Sequence, residues 1–140
     1  MRTRLLIASL LLVAGFCSSA AAQKCLEYGP VVSLTGKLRS QVFAGPPNYE
    51  SIKHGDQKET AIILTLSTPT CTTGNDPSGV DVPETNLREM QLVLRRSEDW
   101  KTVHRRMGKR VVASGTLFHS ITGHHVTRVL IDVTGVRASP

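Results

Sequence analysis

The 140-residue sequence predicts an all-β domain with one helix, its five strands closing into a small barrel. Three observations carry that expectation. Short runs alternate apolar and polar residues with a period of two, the pattern of half-buried strands. Stretches rich in Gly, Pro, Asp and Asn separate these runs and interrupt regular structure. A single segment, Ser97 to Met107, has helical spacing instead and falls between the third and fourth strands.

Ahead of the first strand, Arg2 and Arg4 precede an apolar run from Leu5 to Phe16, and Ala20-Ala21-Ala22 follows as a small-residue cleavage site. This is the layout of a secretory signal peptide, too short to span a bilayer. Residues 1–22 are therefore read as signal peptide and 23–140 as a single domain, periplasmic or secreted and without a membrane span. Phe16 excludes a lipoprotein site at Cys17, because lipoprotein signals carry a small residue before the cysteine. The exported chain keeps Cys25 and Cys71, and two cysteines in an exported domain are expected to pair.

The first strand is Val31 to Val42, with Val32, Leu34, Gly36 and Leu38 on one face. Gly36 in its middle suggests a bulge or sharp bend. A polar loop with Pro46, Pro47 and Gly55 leads to the second strand, Thr60 to Ser67, which Pro69 is expected to end. The loop from Thr72 to Asn86 leads to the third strand, Arg88 to Arg95, with Met90, Leu92 and Leu94 on one face.

Ser97 is placed as the helix N-cap, with Glu98 and Asp99 in the first turn where the helix dipole favours anions. Trp100, Val103 and Met107 form its expected buried stripe, and Gly108 follows as the C′ residue. Lys109 to His119 and His125 to Val136 are the fourth and fifth strands. Three strands, a helix and two strands is the order of the OB-fold, so the fold class is a five-stranded OB-fold-like Greek-key barrel. That order also brings Cys25, before the first strand, near Cys71, after the second. A two-sheet sandwich is the alternative, but it needs about seven strands.

In such a barrel the loops 45–57 and 119–125 flank the usual ligand face. They hold Asn48, Tyr49, Glu50, His54, His119, Thr122, His124 and His125, the candidate ligand-binding residues. His119, His124 and His125 are also candidate zinc or copper ligands, since imidazole is a common ligand and a tight turn brings histidines together. No HExxH motif or paired-cysteine spacing supports a resident metal. No GxSxG motif or free cysteine in the exported chain supplies a recognisable nucleophile, so no catalytic residue is assigned. Nucleic acid is not the expected partner, because the few aromatics do not form a stacking platform over a basic groove.

Without Arg2 and Arg4, fifteen basic residues face eleven acidic ones, a net charge of +4. The excess is concentrated after residue 85, around the helix, where Arg88, Arg95, Arg96, Lys101, Arg105, Arg106, Lys109 and Arg110 cluster. A solvated helix and its flanks account for such a cluster, with an electrostatic docking patch as the alternative.

The segments VVSLTGKL, GPPNYESI followed by Gly-Asp, LTLSTPTC, NLREMQLVL and GKRVVASGTLFHSITGHHVTRVLIDV cover nearly all of residues 25 to 136. With them the chain resembles the small exported bacterial proteins classed as a domain of unknown function, number 4431. The combination of PPNYES with GTLFHxxTGHH is the specific part. The resemblance implies the extent of the domain and points to the same two loops, but carries no mechanism. The expected function is a non-enzymatic binding module for an envelope protein, peptide or glycan. The alternatives are a histidine-centred metal-binding protein and an inhibitor or accessory of an envelope enzyme.

Overall fold

The structure, a computed structural model, describes residues 24–74 and 76–140. The expected signal peptide lies outside the described residues. In chain order the elements are β1 (Leu26–Glu27), β2 (Val31–Ala44), a 3-10 turn (Ile52–His54), β3 (Lys58–Thr73), β4 (Glu84–Val93), α1 (Ser97–Arg105), β5 (Arg110–His119) and β6 (Val129–Ala138).

One six-stranded sheet contains all six strands, in the order β1-β3-β2-β5-β6-β4, and a further β3–β4 pairing closes it. The long strand β2 makes this closure. Val31 to Lys37 pair with β5, and Gly36 to Ala44 pair with β3. Gly36 belongs to both ladders, and a Cβ there would collide with the Thr65 carbonyl oxygen. At Gly115 a Cβ would meet the Asp132 carbonyl, beside a register shift in the β5–β6 ladder. Both glycines stand where two backbones approach closely.

Two strand expectations are corrected. The sheet has six strands, not five, because Leu26 and Glu27 pair in parallel with Thr72 and Thr73. Two residues are too few to show a period. The Cys25–Cys71 disulfide, with Cα atoms 4.7 Å apart, ties this short strand to the end of β3. Strand β3 also continues through Pro69 to Thr73. Its ladder with β4 shifts between Thr65 and Thr70, and an interruption of this kind accommodates a proline that cannot donate.

Inside the closed sheet, Leu38, Ile62, Leu64, Met90, Leu92, Val111 and Ile131 pack with Val103 of α1. Trp100 does not join them and is 40% exposed, contrary to the sequence expectation. The helix buries the expected Val103 together with Asp99, and Met107 packs against the core. Arg96 fixes that orientation by a two-pronged bond to Asp99, at 2.7 and 2.9 Å, and donates to the Thr134 carbonyl on β6. Trp100 is left beside the core, its indole N–H donating to Leu94 O at 3.1 Å and its ring stacked on His104. The N-cap is Arg96 rather than Ser97, and it makes no side-chain cap bond. Gly108 has φ +77°, the left-handed conformation expected after the helix.

Ala61, Ile63 and Leu130 are also buried, yet they lie outside this core. In the pleat they alternate with the inward residues and so face outward. Ile63 and Leu130 flank Gln91 in register on either side. A cover over this outer face therefore keeps them dry.

Candidate functional site

The β2–β3 loop, residues 45–57, is organised by one carboxylate. Asp56 is 6% exposed and accepts the backbone N–H groups of Asn48, Glu50 and Ser51 at 2.8–2.9 Å, with the Asn48 side-chain amide at 3.2 Å. Those bonds, led by Ser51, hold its carboxyl below the usual aspartate range. The bonded turn presents Tyr49 at φ +61°. Asn48 is thus part of the loop's own scaffold, while the Glu50 side chain remains exposed. His54 is exposed in the 3-10 turn and ties back through its backbone to Ser51 O.

Tyr49 reaches the β5–β6 loop. Its hydroxyl lies 2.8 Å from His124 Nε2, and His124 Nδ1 lies 2.8 Å from Glu59 Oε2 at the start of β3. A carboxylate accepts only, so Nδ1 donates to Glu59, and in the neutral ring Nε2 accepts the tyrosine proton. The Tyr49 ring meets His124 edge-on at 5.1 Å and covers Gly123. A Cβ at Gly123 would stand 2.7 Å from Tyr49 Cγ.

Residues 120–128 form a strap between β5 and β6. Gln91 holds it with its side-chain amide, donating to His124 O at 3.0 Å and accepting from Val126 N at 2.8 Å. The backbone N–H of Gln91 donates to Thr127 Oγ1 at 2.8 Å. Because Gln91 stands between Ile63 and Leu130, these bonds lay the strap over the outer face of the sheet. Within the strap His125 N donates to Thr122 O at 3.1 Å, and Ile121 N donates to His125 Nδ1 at 3.0 Å. The His125 ring packs edge-on against Phe118. Burial, and then the adjacent His124, lower its pKa below the ordinary imidazole value.

A groove lies on each side of the strap. One, of about 280 Å³, is lined by Thr60, Ala61, Leu92, Leu94, Trp100, His124 and His125. The other, of about 480 Å³, is lined by Thr65, Arg88, Glu89, Val126, Thr127 and Arg128. A separate recess of about 510 Å³ beside the disulfide involves Glu27, Tyr28, Thr73, Asp76 and Asp81, none of them a sequence candidate.

The candidate residues divide accordingly. Tyr49, His124 and His125 meet at the strap, and Thr122 closes its turn. His119 turns elsewhere. Its Nε2 lies 3.0 Å from Glu84 Oε1 and its Nδ1 lies 3.2 Å from Ser120 O, while Arg128 pairs with the other oxygen of Glu84. The three histidines thus have separate partners. Among the described residues no group of three or more His, Cys, Asp or Glu side chains is placed to hold a metal ion. Part of the basic cluster is engaged in surface contacts, Arg95 with Asp132 at 2.7 Å and Arg110 with the Ser67 hydroxyl at 3.2 Å.

Sequence reasoning missed Glu59 and Gln91. Both occupy polar positions of alternating strands, where a ligand-facing residue and a solvated one look alike.

Residues 89–137 match the domain of unknown function DUF4431, the family the sequence resembles. The matched span holds α1, β5, the strap and most of β6, and lacks Tyr49 and Glu59. No curated protein and no solved structure matches the chain.

Proposed function

We propose that this protein is an exported binding module with an OB-type barrel, and that it takes an envelope peptide or glycan in the groove between the strap and Trp100. The pairing of β2 with both β3 and β5, and the parallel β4–β6 contact, support the OB reading. OB-folds bind ligands on this sheet face, between these two loops.

The observation that carries the proposal is the Tyr49–His124–Glu59 clasp beside an exposed tryptophan. The clasp fixes one wall of the groove, joining loops 75 residues apart in sequence. Trp100 supplies the opposite wall, a flat amphipathic ring of the kind enriched at binding surfaces. A volume of about 280 Å³ is small for a whole ligand and suits one side chain or one sugar ring of a larger chain. Export and the disulfide fit an envelope partner.

Capture from periplasmic extract tests this reading. The wild-type domain is expected to retain a partner that the Trp100→Ala and His124→Ala variants lose. Identical sets retained by all three proteins contradict it.

A further inference from the structure

The two histidines of the strap respond oppositely to a proton. His124 has an acceptor for each ring nitrogen, Glu59 Oε2 for Nδ1 and the Tyr49 hydroxyl oxygen for Nε2. A second proton on His124 leaves both bonds in place, with the tyrosine oxygen accepting instead of donating. His125 has no such freedom. Its Nδ1 accepts the Ile121 N–H, so the ring must be neutral with its proton on Nε2. A proton on Nδ1 sets two donors face to face and destroys the bond that closes the strap's turn.

We propose that neutral His125 latches the 121–125 turn of the strap, and that protonation of His125 opens this turn and widens the groove beside Trp100. Opening exposes more of Ala61, which lines that groove and is buried outside the barrel core. Its side chain would add to an apolar floor of the groove. The proposal describes regulation of the site under Proposed function and rests on that reading only for its consequence in binding.

The charged and titratable surroundings favour release at low pH. On the strap itself the neighbour is His124, and a charge there opposes one on His125. From β3, Glu59 is engaged by His124, and from the β2–β3 loop so is Tyr49. From β5, His119 turns to Glu84 and Ser120, leaving Phe118 as the ring against His125. From β4 the contact is the neutral amide of Gln91, and from α1 the groove is lined by Trp100. None of these is a carboxylate bonded to His125 that would hold its proton. The lowered pKa agrees with this arrangement. Because the folded value lies below the ordinary 6.5, the latch contributes stability above that pH and loses it as the pH falls through the folded value.

Amide hydrogen exchange of the free exported chain tests the latch without any ligand. After correction for intrinsic exchange, Ile121 protection is expected to fall about tenfold or more between about pH 8 and pH 5. His125→Asn puts an uncharged acceptor where Nδ1 stood and should keep Ile121 protected throughout. His124→Gln should leave the wild-type pH response in place. The proposal is overturned by flat wild-type protection, by a His125→Asn response like wild type, or by loss of the response in His124→Gln. Imidazole ¹⁵N shifts supply a readout on the wild-type protein alone. A proton arriving on His125 Nδ1 while Ile121 stays protected contradicts the latch. Loss of groove binding with an intact exchange response would instead count against the functional reading.

Discussion

Asp56 shows how one side chain sets a loop. Its two oxygens satisfy three backbone donors that a turn with this shape would leave unpaired. The carboxyl is held below its ordinary 3.8, so its stabilisation is present above that pH and lost as the pH falls through the folded value. Asp56→Asn should lower the melting temperature at neutral pH and remove part of the acid sensitivity seen in thermal scans. An unchanged melting curve contradicts this role. Gly123 is a second such residue, because the Tyr49 ring fills the space a Cβ would take. Gly123→Ala should cost about 1–3 kcal/mol in urea unfolding, a typical penalty for overpacking. Tyr49→Phe keeps the ring and removes only the bond to His124, so about 0.5–1.5 kcal/mol is expected. The sequence placed Tyr49 and His124 on two loops at one end of a barrel. It did not reveal Glu59 or Gln91, whose roles come from register across strands.

At the scale of elements, the helix is the instructive case. Helical spacing made Trp100, Val103 and Met107 an apolar stripe, and hydrophobicity alone favours turning it inward. The sheet receives Val103 and Met107 of that stripe but not Trp100, because Arg96 bridges Asp99 to the β6 carbonyl of Thr134 and a small rotation follows. A tertiary contact therefore decided what the periodicity could not. Trp100→Ala should accordingly cost less than about 1.5 kcal/mol, while Met90→Ala in the core should cost about 2–5 kcal/mol. Trp100 fluorescence should be red-shifted and quenched by iodide. A blue-shifted, protected indole contradicts the exposed position. In the strands, Gly36 was legible as a bulge or bend, and the close backbone approach there explains the glycine.

For the whole molecule, strand periodicity and the position of the helix made the order of the main elements legible. The disulfide was legible as well, from the expected export and a count of two cysteines in the expected exported chain. Strand β1 was not, since two residues beside a disulfide carry no pattern of their own. The bridge closes a separation of 46 residues, worth about 4 kcal/mol by loop entropy. Cys71→Ser should therefore lower stability by about 2–5 kcal/mol, read from denaturant unfolding. The strap divides the outer face into two grooves and hides apolar surface that the barrel does not need for its own core. Binding on that face is the central claim. Its most direct measurement is a chemical-shift titration of the ¹⁵N-labelled domain with the partner captured from periplasmic extract. The prediction is that Thr60, Gln91, Leu94, His124, His125 and the Trp100 indole shift together. Shifts confined to Glu27, Gly29, Thr73 and Asp81, around the recess beside the disulfide, would contradict it.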